Sequence, residues 1–272
     1  MLTQPETGEL LSLMRTAAIQ AGAIALDWFR AGEPTPARID WKGGVSPVSE
    51  ADFAVDNFLK GRLAAMMPDA GWLSEETADN AERLDRSRVF IVDPIDGTRA
   101  FIAGDPRWAV CAALVENGRP IVGVLHMPAA GLTFEARAGE GALLNGKRIT
   151  PSSHPGLTGA RIAGPPRLMD NLAKSGIAFV REHKIPSLAY RLARVAAGEI
   201  DVGIASTDAW DWDIAAADLI IREAGGLLTD LDEREPVYNR ANPRHGILGA
   251  SSARLHGEMI AALRDAANAP RS

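Results

Sequence analysis

Arg88-Val-Phe-Ile-Val-Asp-Pro-Ile-Asp-Gly-Thr98 is an apolar run that delivers two carboxylates into a Gly-Thr pair. Residues 88–92 read as a short buried strand, with Asp93 and Asp96 where it runs out into an acidic loop. The two aspartates supply hard oxygen ligands, Pro94 stiffens the bend between them, and a main-chain carbonyl such as that of Ile95 offers a further ligand. Gly97 lets the backbone approach a bound group closely. If a helix opens at Gly97, the amides of Gly97 and Thr98 point at an anion with the helix dipole behind them.

Two further acidic segments fit the same chemistry. Glu75-Glu76 ends the short apolar stretch Gly71-Trp-Leu-Ser74, and Asp213 stands at the expected N-terminus of a helix running to Glu223-Ala-Gly-Gly226. Taken singly, Asp96-Gly97 reads as a turn, Glu75-Glu76 as a solvated pair and Asp213 as an N-cap. Packed together, four unpaired carboxylates would cost on the order of several kcal/mol, so their convergence would imply bound cations. None of the five histidines (His126, His154, His183, His245, His256) lies in these segments, nor does the single cysteine. The donor set is all oxygen, which argues against zinc and for Mg²⁺ or Mn²⁺.

Outward from this centre, Leu11, Met14, Ala18, Ala21, Ala25 and Trp28 recur at three and four residues and predict a helix from about Glu9 to Arg30. Ser49 with Asp52 resembles a capping box ahead of a second helix that ends before Pro68. Trp108 to Val115 and Pro120 to Met127 flank Glu116-Asn-Gly-Arg119, a hairpin signal, and Leu132 to Ala138 extends that sheet. Beyond Pro151, strands at 160–163, 177–180, 202–205, 226–229 and 247–250 alternate with helices at 187–197, 213–224 and 253–267. The expected organisation is an α+β half over residues 1–150 carrying most of the ligands, and an α/β half over 151–272 carrying Asp213. No linker separates them.

The chain has 272 residues, 46% hydrophobic, enough for a sizeable core. A net charge of −6 gives no footprint for nucleic acid or anionic membrane. Cys111 sits in an apolar run and reads as an inert core thiol, with no disulfide possible within the chain. The first eight residues are polar and acidic, and no stretch approaches the ~20 apolar residues of a membrane span. A cytoplasmic protein is expected.

Asp93-Pro-Ile-Asp-Gly-Thr98, Glu75-Glu76 and Trp212-Asp213-x-Ala-Ala216 with Glu223-Ala-Gly-Gly226 together resemble the inositol monophosphatase family, in order and spacing, from Leu10 to Leu263. The wider superfamily includes fructose-1,6-bisphosphatases, 3'(2'),5'-bisphosphate nucleotidases and one type of histidinol-phosphatase. The resemblance implies a layered αβαβα sandwich, commonly a homodimer, and a Mg²⁺-dependent phosphomonoesterase sensitive to Li⁺. It puts one Mg²⁺ on Glu75, Asp93 and the Ile95 carbonyl, a second on Asp93, Asp96 and Asp213, and a weaker third on Glu75 through water. A water activated by the first metal would attack phosphorus in line, with Thr98 and Glu75 positioning or deprotonating it. Asp52 would support Thr98, the second metal would stabilise the departing alkoxide, and the Gly97 and Thr98 amides would bind phosphate oxygens. No phosphoenzyme is implied. Lys42, in Lys42-Gly-Gly-Val-Ser46, reads either as part of the family's mobile metal-site loop or as a solvated lysine.

The family's animal inositol enzymes place a carboxylate about seven residues before the Trp-Asp pair to contact a ring hydroxyl, where this chain has Ala205 or Ser206. Asp208 and Asp211 lie closer and read either as substitutes or as a cap and a surface charge. Asp96-Gly-Thr-Arg-Ala-Phe-Ile102 looks more like the bisphosphate-nucleotidase and histidinol-phosphatase branches, with Arg99 either facing solvent or pairing with a second acidic group of the substrate. The expected substrate is a small phosphorylated metabolite, inositol monophosphate-like, ahead of 3'-phosphoadenosine 5'-phosphate, histidinol phosphate and fructose bisphosphate. A non-catalytic binding relative would usually have lost a ligand, and every expected ligand is present. A sugar-cleaving acid pair fits less well, since two aspartates three positions apart beside a Gly-Thr turn suit metals better.

Overall fold

The computed structural model describes residues 2–44 and 46–269. In chain order its elements are α1 (Gln4–Leu26), β1 (Ile39–Lys42), β2 (Ser46–Ser49), α2 (Glu50–Met66), β3 (Gly71–Ser74), β4 (Arg88–Asp96), α3 (Thr98–Ile102), β5 (Ala109–Glu116), β6 (Arg119–Met127), β7 (Leu132–Arg137), β8 (Ala142–Leu144) and β9 (Lys147–Arg148). There follow β10 (Arg161–Ala163), α4 (Pro166–Lys174), β11 (Val180–Arg181), α5 (Leu188–Ala196), β12 (Val202–Ala205), α6 (Asp211–Ala224), β13 (Gly226–Asp230), β14 (Leu248–Ser252) and α7 (Ala253–Asn268).

Among the described residues three sheets divide the strands: a seven-stranded one in order β3-β4-β5-β6-β7-β8-β9, a five-stranded one in order β11-β10-β12-β14-β13, and the two-stranded hairpin β1-β2. Helices α1 and α2 cover the outer face of the first, where Met14, Ala18, Leu59, Phe90, Trp108 and Val124 form one core. Between the sheets lie α5 and α6, packed on each other and on both sheets. The far face of the second sheet carries α4 and α7. The layers therefore read helix, sheet, helix, sheet, helix, as expected.

Helix α6 is apolar nearly all round because it has a sheet on each side. Its Ile214-Ala-Ala-Ala217 run is buried, and a Cβ on Gly123 of β6 would lie 3.0 Å from Ala216 O. Small residues on both elements permit that approach. The β5–β6 turn forms as its sequence demands, with Asn117 and Gly118 both at positive φ (51° and 77°). Cys111 is buried in β5.

Some expectations shift. Helix α1 starts at Gln4 rather than Glu9 because Thr3 and Glu6 make a capping box, with Thr3 N donating to Glu6 Oε2 at 2.7 Å, and it ends at Leu26 rather than Arg30. Residues Glu6–Leu26 then form one helix with a mean hydropathy of 1.2, long and apolar enough to cross a membrane by length and composition, which corrects the expectation that no stretch approaches a span. Core packing accounts for its apolar face: Met14, Ala17, Ala18, Ala21 and Ala25 are fully buried. The β1–β2 hairpin and α4 arise where no element is expected. Val45, within the Lys42–Ser46 loop, lies outside the described residues, as do Met1 and residues 270–272.

Helical glycines give a test of this packing. A Cβ on Gly22 of α1 would lie 2.5 Å from Pro128 Cγ and 2.8 Å from His126 Cδ2, whereas Gly61 in α2 and Gly257 in α7 face open space. Gly61→Ala and Gly257→Ala should each raise unfolding free energy by up to about 1 kcal/mol. Gly22→Ala should lower it by about 1–2 kcal/mol, overpacking outweighing propensity, as read by urea denaturation.

Candidate active site

Strand alternation would send Asp93 and Asp96, three residues apart, to opposite faces of the sheet. The ladder resolves this with a bulge: Asp93 pairs with Cys111 and Asp96 with Ala109, so three steps on β4 match two on β5. Pro94 occupies the irregular position, where its missing N–H is tolerated. Ile95 N donates back to Asp93 Oδ1 at 3.0 Å. Gly97 follows at φ 94°, a left-handed conformation in which a Cβ would lie 3.2 Å from Arg107 O. Helix α3 then begins, and its first amides have no intrahelical partners.

Each carboxylate is oriented by main-chain donors. Asp96 accepts from Leu188 N (3.2 Å) and Ala189 N (2.7 Å) in the first turn of α5, and from the Ser187 hydroxyl. Asp213, third residue of α6, accepts from Trp210 N at 2.6 Å. Asp93, Asp96 and Asp213 each offer an oxygen lying within 4.8 Å of the others. Glu75 borders the same cleft, with Lys42 Nζ 3.3 Å from its Oε1 and 2.7 Å from Glu76 Oε1. Glu76 is buried and its Oε2 has no protein partner. Asp52, in the capping box of α2, accepts from Ser49 N (2.8 Å) and Ser49 Oγ (2.6 Å). Thr98 Oγ1 lies 3.2 Å from Asp52 Oδ1 and 3.0 Å from the Ile95 carbonyl. The cleft encloses about 480 Å³ and is also lined by Arg99, Arg107 and Lys184.

Electrostatics sharpen the picture. Burial, then the charges of Glu75, Asp96 and Asp213, push the Asp93 carboxyl far above its usual range. Asp213 moves the same way through burial and then Asp96. Burial lifts Asp96 to about 6 despite the donors from Ser187, Ala189 and Leu188. The same cause lifts Asp52 to about 6 and Glu76 to about 7. A cluster of largely buried hard oxygen donors that resists ionisation by itself is a set that a divalent cation would complete, and the residues fit such an ion.

The structure thus brings together Asp93, Asp96 and Asp213, with Glu75, Gly97 and Thr98 lining the same cleft and Asp52 behind Thr98. It does not bring Asp208 or Asp211 there. Asp208 is exposed and pairs with Arg244 at 2.7 Å, while Asp211 is buried against His245 Nε2 at 2.7 Å. Arg99 lines the cleft, its guanidinium 5.8 Å from the Trp41 ring. Sequence reasoning missed Ser187, Arg107, Lys184 and the burial of Glu76. Only Ser187 had a local signal, an N-cap serine ahead of Leu-Ala-Tyr, and its side chain does accept from Tyr190 N.

Buried carboxylates that could hold a hard cation, beside a glycine turn at a helix start, suit the metal-assisted hydrolysis of a phosphate ester. Known proteins agree: the profile of the inositol monophosphatase family matches residues 9–268. The inositol-1-monophosphatase of Mesorhizobium japonicum is 33% identical over 254 residues, covering 86% of this chain and 90% of that protein. A histidinol-phosphatase of Mycobacterium tuberculosis is 34% identical over 239 residues, covering 83% and 88%. Among solved structures, a Thermotoga maritima IMPase superposes with a TM-score of 0.81 at 27% identity, covering 95% of this chain and 98% of that one. The chain belongs to the inositol monophosphatase family, a metal-dependent family, and is a phosphomonoesterase.

The raised carboxyl pKa values set a pH dependence for the metal-free protein. Asp52 and Asp96 have folded values of about 6 against an ordinary 3.8. Between those values the folded state binds more protons than the unfolded state, so stability is greatest below the window and declines as pH rises through it. In chelator, the melting temperature should fall between about pH 4 and about pH 7, and Mg²⁺ should flatten that decline by binding the ionised folded form. A chelated protein whose melting temperature rises across that window would contradict the assigned burial.

Proposed function

We propose that this chain is a Mg²⁺-dependent phosphatase of small phosphorylated metabolites, with an inositol monophosphate-like substrate as the first reading, acting in the cytoplasm as a homodimer. The reading rests on one observation, the convergence of Asp93, Asp96 and Asp213 beside the Gly97–Thr98 turn. In it, residues 1–150 carry most of the ligands and residues 151–272 contribute Asp213. Asp93, Asp96, Asp213, Glu75 and the Ile95 carbonyl would hold two to three Mg²⁺ ions, with Mn²⁺ as the alternative. When bound, these cations supply Lewis-acid chemistry, acidifying water and neutralising charge on phosphate and leaving group.

The protein groups do the rest. The Gly97 and Thr98 amides bind phosphate oxygens and fix phosphorus in the cleft. Thr98 Oγ1, held by Asp52 and the Ile95 carbonyl, orients the attacking water. Glu75 receives the proton that the water gives up. Water oxygen bonds to phosphorus as the ester P–O bond breaks in line, the leaving alkoxide taking a proton from solvent water, so that inorganic phosphate and an alcohol are released with no phosphoenzyme. Asp213 faces the leaving alcohol as well as the cations.

One observation favours a second reading. Arg99, Arg107 and Lys184 line the cleft, and no carboxylate stands at the expected hydroxyl-contacting position: Ala205 is buried there and Asp208 pairs outward with Arg244. That wall suits a substrate with a second acidic group, such as a bisphosphate nucleotide, or a branch like histidinol phosphate in which no ring hydroxyl needs an acceptor.

Phosphate release should be measured with and without Mg²⁺ on inositol 1-phosphate, 3'-phosphoadenosine 5'-phosphate, histidinol phosphate and fructose 1,6-bisphosphate. One substrate should lead by ten-fold in kcat/KM, about 1.4 kcal/mol. Asp93→Asn should abolish turnover while leaving the fold intact, and Li⁺ should inhibit in competition with Mg²⁺. Full activity in Asp93→Asn would remove the metal assignment. Absence of Mg²⁺-dependent release from all four compounds would favour a binding role instead.

A further inference from the structure

Between β13 and β14 the chain covers residues 231–247 with no helix or strand beyond a single bridge between Arg244 and Trp210. Irregular segments of that length inside a compact fold are uncommon and are usually either functional or linkers. This one is tightly tied at Asn239, which adopts the left-handed φ of 57° that asparagine tolerates. Its main-chain amide donates to Asp211 Oδ2 at 2.8 Å. Its side chain accepts from Arg83 Nη1 at 2.7 Å through Oδ1 and donates to the Arg83 carbonyl at 3.0 Å through Nδ2.

Both partners are themselves fixed. Asp211 is buried, its other oxygen is 2.7 Å from His245 Nε2, and its amide donates to the Pro243 carbonyl at 2.8 Å. It precedes Asp213 by two residues in the first turn of α6. Arg83 is buried and holds Asp79 through two bonds of 2.6 and 2.8 Å, and Asp79 follows Glu75 by four residues. Asn239 is therefore bonded directly to the helix turn that carries Asp213 and, through Arg83 and Asp79, indirectly to the segment that follows Glu75. It does not line the carboxylate cleft.

We propose that Asn239 is a positioning residue that sets the separation of Glu75 from Asp213, and through it the affinity of the site for divalent cations. The inference rests on the metal-site reading above. Mg²⁺ demands near-ideal octahedral geometry, so a carboxylate free to drift loses affinity even when every ligand is present. Supporting groups behind metal ligands typically contribute 10–100-fold to affinity.

The test is calorimetric titration of the full chain with Mn²⁺, without substrate, alongside thermal melts. Asn239→Gly keeps the left-handed backbone and removes the two side-chain bonds to Arg83, leaving Arg83 its bonds to the Arg240 carbonyl at 3.1 Å. It should bind Mn²⁺ about ten-fold or more weakly while melting cooperatively. Asn239→Asp retains an oxygen for Arg83 and should recover part of that loss. Asn171→Ala breaks another inter-element asparagine bond, Asn171 Nδ2 to Ala266 O at 2.8 Å between α4 and α7, and should leave Mn²⁺ binding unchanged. Should Asn239→Gly not fold, Asp79→Ala loosens the same clamp from its half-exposed end and gives the same readout. Wild-type Mn²⁺ affinity in the folded Gly variant, with or without a lower melting temperature, overturns the proposal. No Mn²⁺ uptake by the wild-type chain would instead overturn the metal-site reading itself.

Discussion

Holding Asp93, Asp96 and Asp213 within 4.8 Å of one another in a buried cleft runs against both desolvation and repulsion, and much of the chain serves to make that arrangement rigid. The means is the same at each residue. A main-chain amide grips one carboxylate oxygen: Ile95 N on Asp93, Ala189 N on Asp96, Trp210 N on Asp213. Backbone donors at a bulge or a helix start cannot swing away as side chains can, so the carboxylates would meet a cation already oriented. A cation there would relieve their mutual repulsion, which would make affinity for metal and instability without it two expressions of one free energy.

That arrangement needs helix starts at the right place, and the layered fold supplies them. Helices α5 and α6 lie between the two sheets, packed on each other, so their first turns both approach the end of β4. Asp96 bonds the first turn of α5, and Asp213 sits in the first turn of α6. The alanine run of α6 and Gly123 of β6 let helix and sheet approach closely, which sets the depth at which Asp213 enters the cleft. A core feature with no chemistry of its own is thus part of the site's geometry.

How much of this was legible follows from how local each cause is. The Asp93-Pro-Ile-Asp-Gly-Thr98 block, the Ser49–Asp52 capping box and the Asn117-Gly118 turn are short-range devices, and each forms as its residues demand. The layered fold was legible through the family resemblance more than through periodicity. The start of α1 was written in Thr3 and Glu6, but apolar periodicity begins only at Leu10 and outweighed it. Helix α4 had an apolar face in Leu168, Met169 and Leu172, hidden by its short length and the flanking prolines. Lys42 with Glu75 and Glu76, and Asn239 with Arg83 and Asp211, pair residues far apart in sequence that no spacing rule links. Asp211, open in the sequence to either a substrate contact or a cap, is turned away for a geometric reason: first in its helix, it faces the loop and His245, while Asp213 two positions on turns to the cleft.

The same geometry bears on what the enzyme prefers. A polyol leaving group brings hydroxyls that cost about 1–3 kcal/mol each if desolvated without a partner. Beyond Asp93, Asp96, Asp213 and Glu75, the cleft offers little to accept them: Asp105 is clamped bidentately by Arg107, and Asp208 is engaged outside with Arg244. The Arg107–Asp105 pair also keeps that guanidinium fixed, with Nη1 donating to the Lys184 carbonyl at 2.9 Å, so the wall is ordered before substrate arrives. With Arg107 already neutralised by Asp105, the remaining positive charge on that wall comes from Arg99 and Lys184, which an acidic group on the substrate would meet. Since 1.4 kcal/mol is a factor of ten, one unsatisfied hydroxyl is enough to change a substrate preference ten-fold in a cleft of this kind.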